Sequence, residues 1–266
     1  MQAKRDAFYS IKAKAEERHA EILIYDEIGP ANFWVDTVDA KSLVKDLQEL
    51  DVDTIDIRLN SPGGDVFDGV AIYNALRDHP AKVRVKVDGF AASIASVIML
   101  AGDERVIGQG AQVMIHDPWG FSMGGAADMR KYADLLDGIR ESIVDIYTDR
   151  TGMDRETLTA AMANETWYGA DAALEAGFAT GVSGGTEDAA IKAVAKFDER
   201  VAARFQHVPE RIAAALRLSP DEVAPALELT FSDPSATSSA DSSPAAIVAS
   251  DIDPEHEKRV RELLTR

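Results

Sequence analysis

The sequence predicts an α/β fold with a largely parallel sheet. Three observations point to it: strand-like and helix-like stretches alternate through residues 21–182, each pair is the size of a strand–helix unit, and glycine-rich turns stand at strand-to-helix junctions. In order, Glu21-Ile22-Leu23-Ile24-Tyr25 reads as a strand. Asp39 is placed to cap a helix in which Leu43, Val44, Leu47 and Leu50 recur at helical spacing, and Thr54-Ile55-Asp56-Ile57-Arg58-Leu59 then alternates with a period of two. A second unit follows, with a helix over Val66–Leu76 and a strand at Val83-Arg84-Val85-Lys86-Val87. A third has a helix from Ser93 to Leu100 and short strands around Arg105-Val106-Ile107 and Gln112-Val113-Met114-Ile115. Beyond Gly124-Gly125, Ala126–Arg150 is a long and strongly polar helix, read as a projecting or oligomer-forming element because it lacks a wide apolar stripe. Asp154–Ala163 and Ala170–Ala176 read as helices, and Gly177–Val182 as a closing turn and strand.

Composition changes after residue 182. The expected organisation is an N-terminal segment 1–20, a main domain 21–182, a helical extension 183–231 with helices near Glu187–Arg204 and Pro209–Leu216, and a final segment 232–266. Ser232–Ser250 carries seven Ser, five Ala and two Pro, too little apolar surface to offset the entropy of ordering. A flexible linker is expected there, followed by a short charged helix at Pro254–Leu264.

The net charge of −18 opposes binding to phosphate backbones and to anionic membranes, both of which need Lys and Arg in excess. With no cysteine, a disulfide framework, a thiolate zinc site and a cysteine nucleophile are excluded. The uncharged stretch Gly89–Gly102 is shorter than the roughly 20 residues a membrane helix needs, and the first residues lack the apolar run of a signal peptide. A soluble, cytoplasmic protein is expected, with no nucleic-acid or membrane partner.

Three clusters carry possible chemistry. Asn60-Ser61-Pro62-Gly63-Gly64-Asp65 lies between a strand and a helix, where paired glycines let backbone N–H groups face a ligand. Taken alone it reads first as a tight turn, and it lacks the lysine and hydroxyl of a phosphate loop. In Asp88-Gly89-Phe90-Ala91-Ala92-Ser93-Ile94-Ala95-Ser96, small residues crowd around Ser93 at the start of an apolar helix. That position suits either a helix cap or a nucleophile whose substrate becomes an oxyanion; Ser96 is the neighbouring competitor, and the pattern is not a Gly-x-Ser-x-Gly elbow. Met114-Ile115-His116-Asp117-Pro118-Trp119-Gly120 ends an apolar strand in a histidine. Of the five histidines, His116 alone sits by a buried strand; His19, His79, His207 and His256 lie in polar or appended contexts. Strand ends in a parallel α/β sheet converge on one edge, which is where such folds carry function.

Asn60-Ser61-Pro62-Gly63-Gly64, Gly89-Phe90-Ala91-Ala92-Ser93-Ile94 and Met114-Ile115-His116-Asp117-Pro118-Trp119-Gly120 resemble, in order and approximate spacing, the proteolytic subunit of the Clp serine protease family, peptidase family S14, over about Glu21–Val182. The resemblance implies the fold shared with crotonases, repeated strand–strand–helix units with a projecting helix, here followed by the helical and partly disordered C-terminal extension. It implies Ser93 as nucleophile, His116 as general base, and the backbone N–H groups of Gly64 and Ile94 as the oxyanion hole. The family's aspartate falls, counting back from Glu175-Ala176-Gly177-Phe178, on Glu165; Asp171 and Asp117 rank behind it. Neither metal nor other cofactor is implied, and the family builds homo-oligomeric rings in which the long polar helix stacks.

The Ala20-Glu21-Ile22-Leu23-Ile24-Tyr25-Asp26-Glu27-Ile28-Gly29 segment, Asn164-Glu165-Thr166-Trp167-Tyr168 and the extension past Val182 are similar to Clp-related head maturation proteases of tailed bacteriophages and prophages. That subtype implies an ATP-independent endopeptidase cutting scaffold and capsid precursor proteins in the bacterial host cytoplasm and within the prohead. Two alternatives are a crotonase-like acyl-CoA enzyme, opposed by the acidic balance and by a Ser–His pair a hydratase does not need, and a catalytically silent capsid assembly or scaffold component.

Overall fold

The computed structural model of the chain describes residues 9–14, 18–30, 37–184 and 204–210. In chain order its elements are β1 Tyr9–Lys14, β2 His19–Ile24, β3 Glu27–Ile28, β4 Thr37–Val38, α1 Ala40–Gln48, β5 Thr54–Ser61, α2 Val66–Asp78, β6 Lys82–Ala92, α3 Ile94–Met99, β7 Glu104–Gly108, β8 Gln112–Ile115, α4 Ala126–Thr151, α5 Arg155–Ala163, β9 Thr166–Gly169, α6 Ala170–Glu175 and β10 Gly181–Ser183. The architecture is mixed α/β. Three helices begin at an aspartate whose carboxylate accepts a backbone N–H of the first turn: Asp39 from Ser42 at 2.9 Å, Asp65 from Asp68 at 3.0 Å and Asp154 from Thr157 at 2.8 Å. Helix α4 ends at Gly152, whose φ of 79° stops it in the left-handed conformation.

The main sheet runs β1-β2-β5-β6-β7-β10. The pairs β2–β5, β5–β6, β6–β7 and β7–β10 are parallel, and β1 lies antiparallel to β2. Every second residue of β5 and β6, Ile55, Ile57, Leu59, Val83, Val85 and Val87, is buried in one core with Leu43 and Leu47 of α1, Ile72 and Leu76 of α2, and Ile98 of α3. Each such side chain contributes about 1.5–3 kcal/mol by leaving water. The alternate residues carry charge. His19 and Arg84 both bond Asp56, while Arg58 forks onto Asp88 at 2.7 and 2.6 Å beside the Tyr25 hydroxyl. These partly exposed pairs add little stability but keep that face polar.

Strand β6 positions the site. Its first half pairs with β7 through Arg84–Val87 and its last residues with β8, Phe90, Ala91 and Ala92 opposite Gln112, Val113 and Met114. The sheet therefore forks, and β6 runs five residues past the strand expected to end at Val87. Beyond the fork, β8 pairs on its other side with antiparallel β9. Strands β1, β3, β4 and β9 were not expected from the sequence. The expected helix near Glu187–Arg204 lies outside the described residues except at Arg204, which is in a turn; the helix from Pro209, the linker and the terminal helix also fall outside them, apart from Pro209 and Glu210. In α4 only Ile143, Val144 and Tyr147 are buried. Among the described residues no helix is long and apolar enough to cross a membrane.

Candidate active site

Ser93 stands in the one-residue step between β6 and α3 with φ 53° and ψ −131°, a conformation that costs an L-residue of order 1–3 kcal/mol and is held by its surroundings. Its N–H donates to the Met114 carbonyl of β8 at 2.9 Å, extending the β6–β8 register by one residue. His116, two residues beyond Met114, is thereby carried onto the same edge. Ser93 Oγ and His116 Nε2 are hydrogen-bonded at 2.8 Å; in the tautomer with the ring proton on Nδ1, Nε2 accepts the Ser93 hydroxyl proton. Ser93 makes no side-chain cap bond to α3. Ser96, in contrast, is fully buried and donates to the Ser93 carbonyl, and Tyr147 meets its Oγ at 2.6 Å; it supports the turn rather than competing for chemistry.

Gly63 and Gly64, with φ of 92° and 142°, lie against this step. A Cβ on Gly63 would stand 2.7 Å from both the Ala92 carbonyl and the Ser93 Cβ, and one on Gly64 would stand 1.9 Å from the Ile28 carbonyl. Only glycine allows both approaches. Strand β3 pins the turn: Ile28 N–H donates to Gly63 O at 2.7 Å and Asp65 N–H to Ile28 O at 2.8 Å. These bonds leave the Gly64 N–H without a partner among the described residues. The Ile94 N–H, first in its helix, is likewise free. Ser93, His116, Gly64, Pro62, Val66, Pro118, Trp119 and Phe121 line one cleft of about 510 Å³ with Glu27, Arg204 and Phe205.

Burial pushes the His116 imidazole below its ordinary 6.5, and the nearby Glu165 charge opposes that shift. Glu165 is 6% exposed with φ 45°, at the turn before β9. Its carboxylate does not hydrogen-bond His116. It accepts instead from the backbone N–H of Gln206 at 2.7 Å on Oε2, and from the N–H of His207 at 2.6 Å and Trp167 Nε1 at 3.3 Å on Oε1. Asp117 is not at the site: its N–H bonds the Met162 carbonyl, its Oδ1 is buried without a partner among the described residues, and burial pushes its carboxyl up. Asp171 lies exposed in the first turn of α6.

Arg204, Phe205, Gln206 and His207 reach the site without any sequence signal. Gln206 and His207 act through backbone N–H groups, which leave no mark on residue identity. Phe205 is 5% exposed, packed on Phe90, Ala92, Met114, Trp167 and Val208, with its ring 6.1 Å from that of His116.

A family model described as Clp protease matches residues 15–185. The chain is 32% identical over 168 residues to ATP-dependent Clp protease proteolytic subunit 3 of Streptomyces coelicolor, covering 61% of this chain and 77% of that one. It is 34% identical over 131 residues to ATP-dependent Clp protease proteolytic subunit 1 of Chlamydia abortus, covering 47% and 67%. It is 33% identical over 144 residues to the ATP-dependent Clp protease proteolytic subunit of Borreliella afzelii, covering 53% and 73%.

Proposed function

This chain belongs to the Clp protease family and is a Clp-type serine peptidase, and we propose that it is an ATP-independent endopeptidase of phage or prophage head maturation, cutting scaffold and capsid precursor proteins. The observation that carries the chemistry is the 2.8 Å contact between Ser93 Oγ and His116 Nε2 at the edge of the cleft. Ser93 Oγ attacks the scissile carbonyl carbon as His116 Nε2 takes its proton, and the resulting oxyanion is bound by the Gly64 and Ile94 N–H groups. Collapse breaks the C–N bond, with the His116 proton passing to the leaving amine. Water, deprotonated by the same ring, then releases the acyl group and regenerates Ser93. Glu165 is the third member of this triad, stabilising the imidazolium.

Trp119 and Phe121, more than half exposed on the cleft rim with rings 5.6 Å apart, suit an extended peptide laid beside the site as an added strand. The phage subtype is supported by the Ala20–Gly29 and Asn164–Tyr168 segments and by residues 186–266, which lie beyond the family match. A ring-type homo-oligomer is supported by α4, which buries three residues and exposes Met129 and Leu135.

Co-production of the protein with scaffold and capsid precursors tests the substrate: fragments are expected with the native chain and absent with Ser93→Ala. Identical processing by Ser93→Ala overturns the proposal and favours a silent assembly component.

A further inference from the structure

Glu165 is the residue on which a triad with His116 depends, and its carboxylate is committed elsewhere. Each oxygen takes a short bond from consecutive backbone N–H groups of the 204–210 segment, at 2.7 and 2.6 Å, and Trp167 Nε1 adds a third donor. The segment is fastened at two further points. Phe205 fills an apolar socket of Phe90, Ala92, Met114 and Trp167, meeting the Trp167 ring edge-on at 5.5 Å, and Arg204 pairs with Glu27 across the cleft wall. All three fastenings belong to residues beyond the family match, which ends at 185.

An orienting carboxylate works by accepting the Nδ1–H of the base. Here Ser93 and His116 are bonded, yet that third link is unmade, and the groups holding Glu165 are the backbone of the chain's own C-terminal extension. We propose that residues 204–207 are a positioning strap that withholds Glu165 from His116, so that the docked chain is a latent peptidase with a working Ser93–His116 pair, and that undocking the strap lets Glu165 reach Nδ1. This rests on Glu165 being the triad acid.

Glu165 follows the C-cap of α5 and takes the left-handed conformation there, φ 45°. Of the charged groups around His116, Glu165 is the one acting on the ring; Glu27 and Arg204 on the cleft wall are paired with each other. Release of Glu165 therefore registers in the titration of His116; because removing the Phe205 ring also relieves the burial that lowers that pKa, the part of the shift that disappears in Phe205→Ala/Glu165→Gln is the part owed to Glu165.

The test uses the full chain and its Phe205→Ala, Arg204→Ala, Glu165→Gln and Phe205→Ala/Glu165→Gln variants. The rate of fluorophosphonate attachment to Ser93 is followed against pH, with circular dichroism to verify folding. Phe205→Ala is expected to label on the order of tenfold faster, a fraction of the ~10⁴ an orienting carboxylate supplies, with its acid limb moved to higher pH. Arg204→Ala, which leaves the aromatic socket intact, is expected to move both in the same direction by less. The gain is expected to vanish when Glu165→Gln is added. Labelling in Phe205→Ala but not in the native chain also supports the strap. A native chain that labels while Phe205→Ala and Arg204→Ala do so no faster, with unmoved acid limbs, overturns the strap alone. Absence of label on Ser93 in the native chain and every variant overturns the underlying triad reading with it.

Discussion

At the scale of single residues, His116 sets the pH behaviour. Burial lowers its pKa below 6.5 while the Glu165 charge holds it up. The ring is a base only when neutral, so the reaction is retained down to the lowered pKa and lost as pH falls through it. The acid limb of Ser93 modification is accordingly expected below pH 6.5. Glu165→Gln removes the charge that favours the imidazolium. It is expected to shift that limb to still lower pH and to slow the reaction, by about tenfold or less because Glu165 makes no bond to the ring in the docked chain. A shift to higher pH would contradict the placement of Glu165 as the charge felt by His116. Ser93 and His116 were legible only in combination: a hydroxyl among small residues reads equally as a helix cap and an imidazole ending a buried strand as a structural histidine, and the three motifs in order singled them out. The partners of Glu165 were not, since backbone N–H groups can come from any sequence.

Elements explain why those residues meet. β6 continues through Gly89-Phe90-Ala91-Ala92 to pair with β8, so the residue after each paired segment, Ser93 and then His116, arrives on the same edge. The alternation of Val83, Val85 and Val87 revealed the first half of β6; the small, non-alternating residues of the second half gave no period-two signal, because that half is buried on both faces. Likewise β3 and β9, two and four residues long, are too short to show a period, and their pairing is imposed by the tertiary fold. Yet β3 is what clamps the Gly63-Gly64 turn. Gly64→Ala, whose Cβ would meet the Ile28 carbonyl at 1.9 Å, is expected to push the turn off β3 and displace the Gly64 N–H. A loss of about 10²–10³ in the Ser93 reaction follows if the Gly64 N–H is an oxyanion donor, with thermal unfolding shifted by a destabilisation of roughly 1–3 kcal/mol. Native reaction rates in a folded Gly64→Ala protein would remove Gly64 from the oxyanion hole.

For the whole molecule, the strands β2, β5, β7, β8, β10 and the first half of β6, with the helices between them, were readable, since repeated burial of one face imposes a period the sequence must carry. What joins the 204–210 segment to the site was not readable, because it turns on one aromatic side chain and two amides brought in from a distance. Phe121, Met123, Met129 and Leu135 are exposed apolar side chains available to the proposed ring contact. Sedimentation velocity should find a species several times the 28.7 kDa chain mass; a stable and active monomer would refute the ring. The central claim, that Ser93 is a nucleophile activated by His116, is tested most directly by treating the purified, assembled protein with a fluorophosphonate and placing the adduct by mass spectrometry. An adduct on Ser93 that is lost in Ser93→Ala and in His116→Ala is the predicted result. An assembled protein that takes no adduct on Ser93, or takes it undiminished in His116→Ala, would contradict the account.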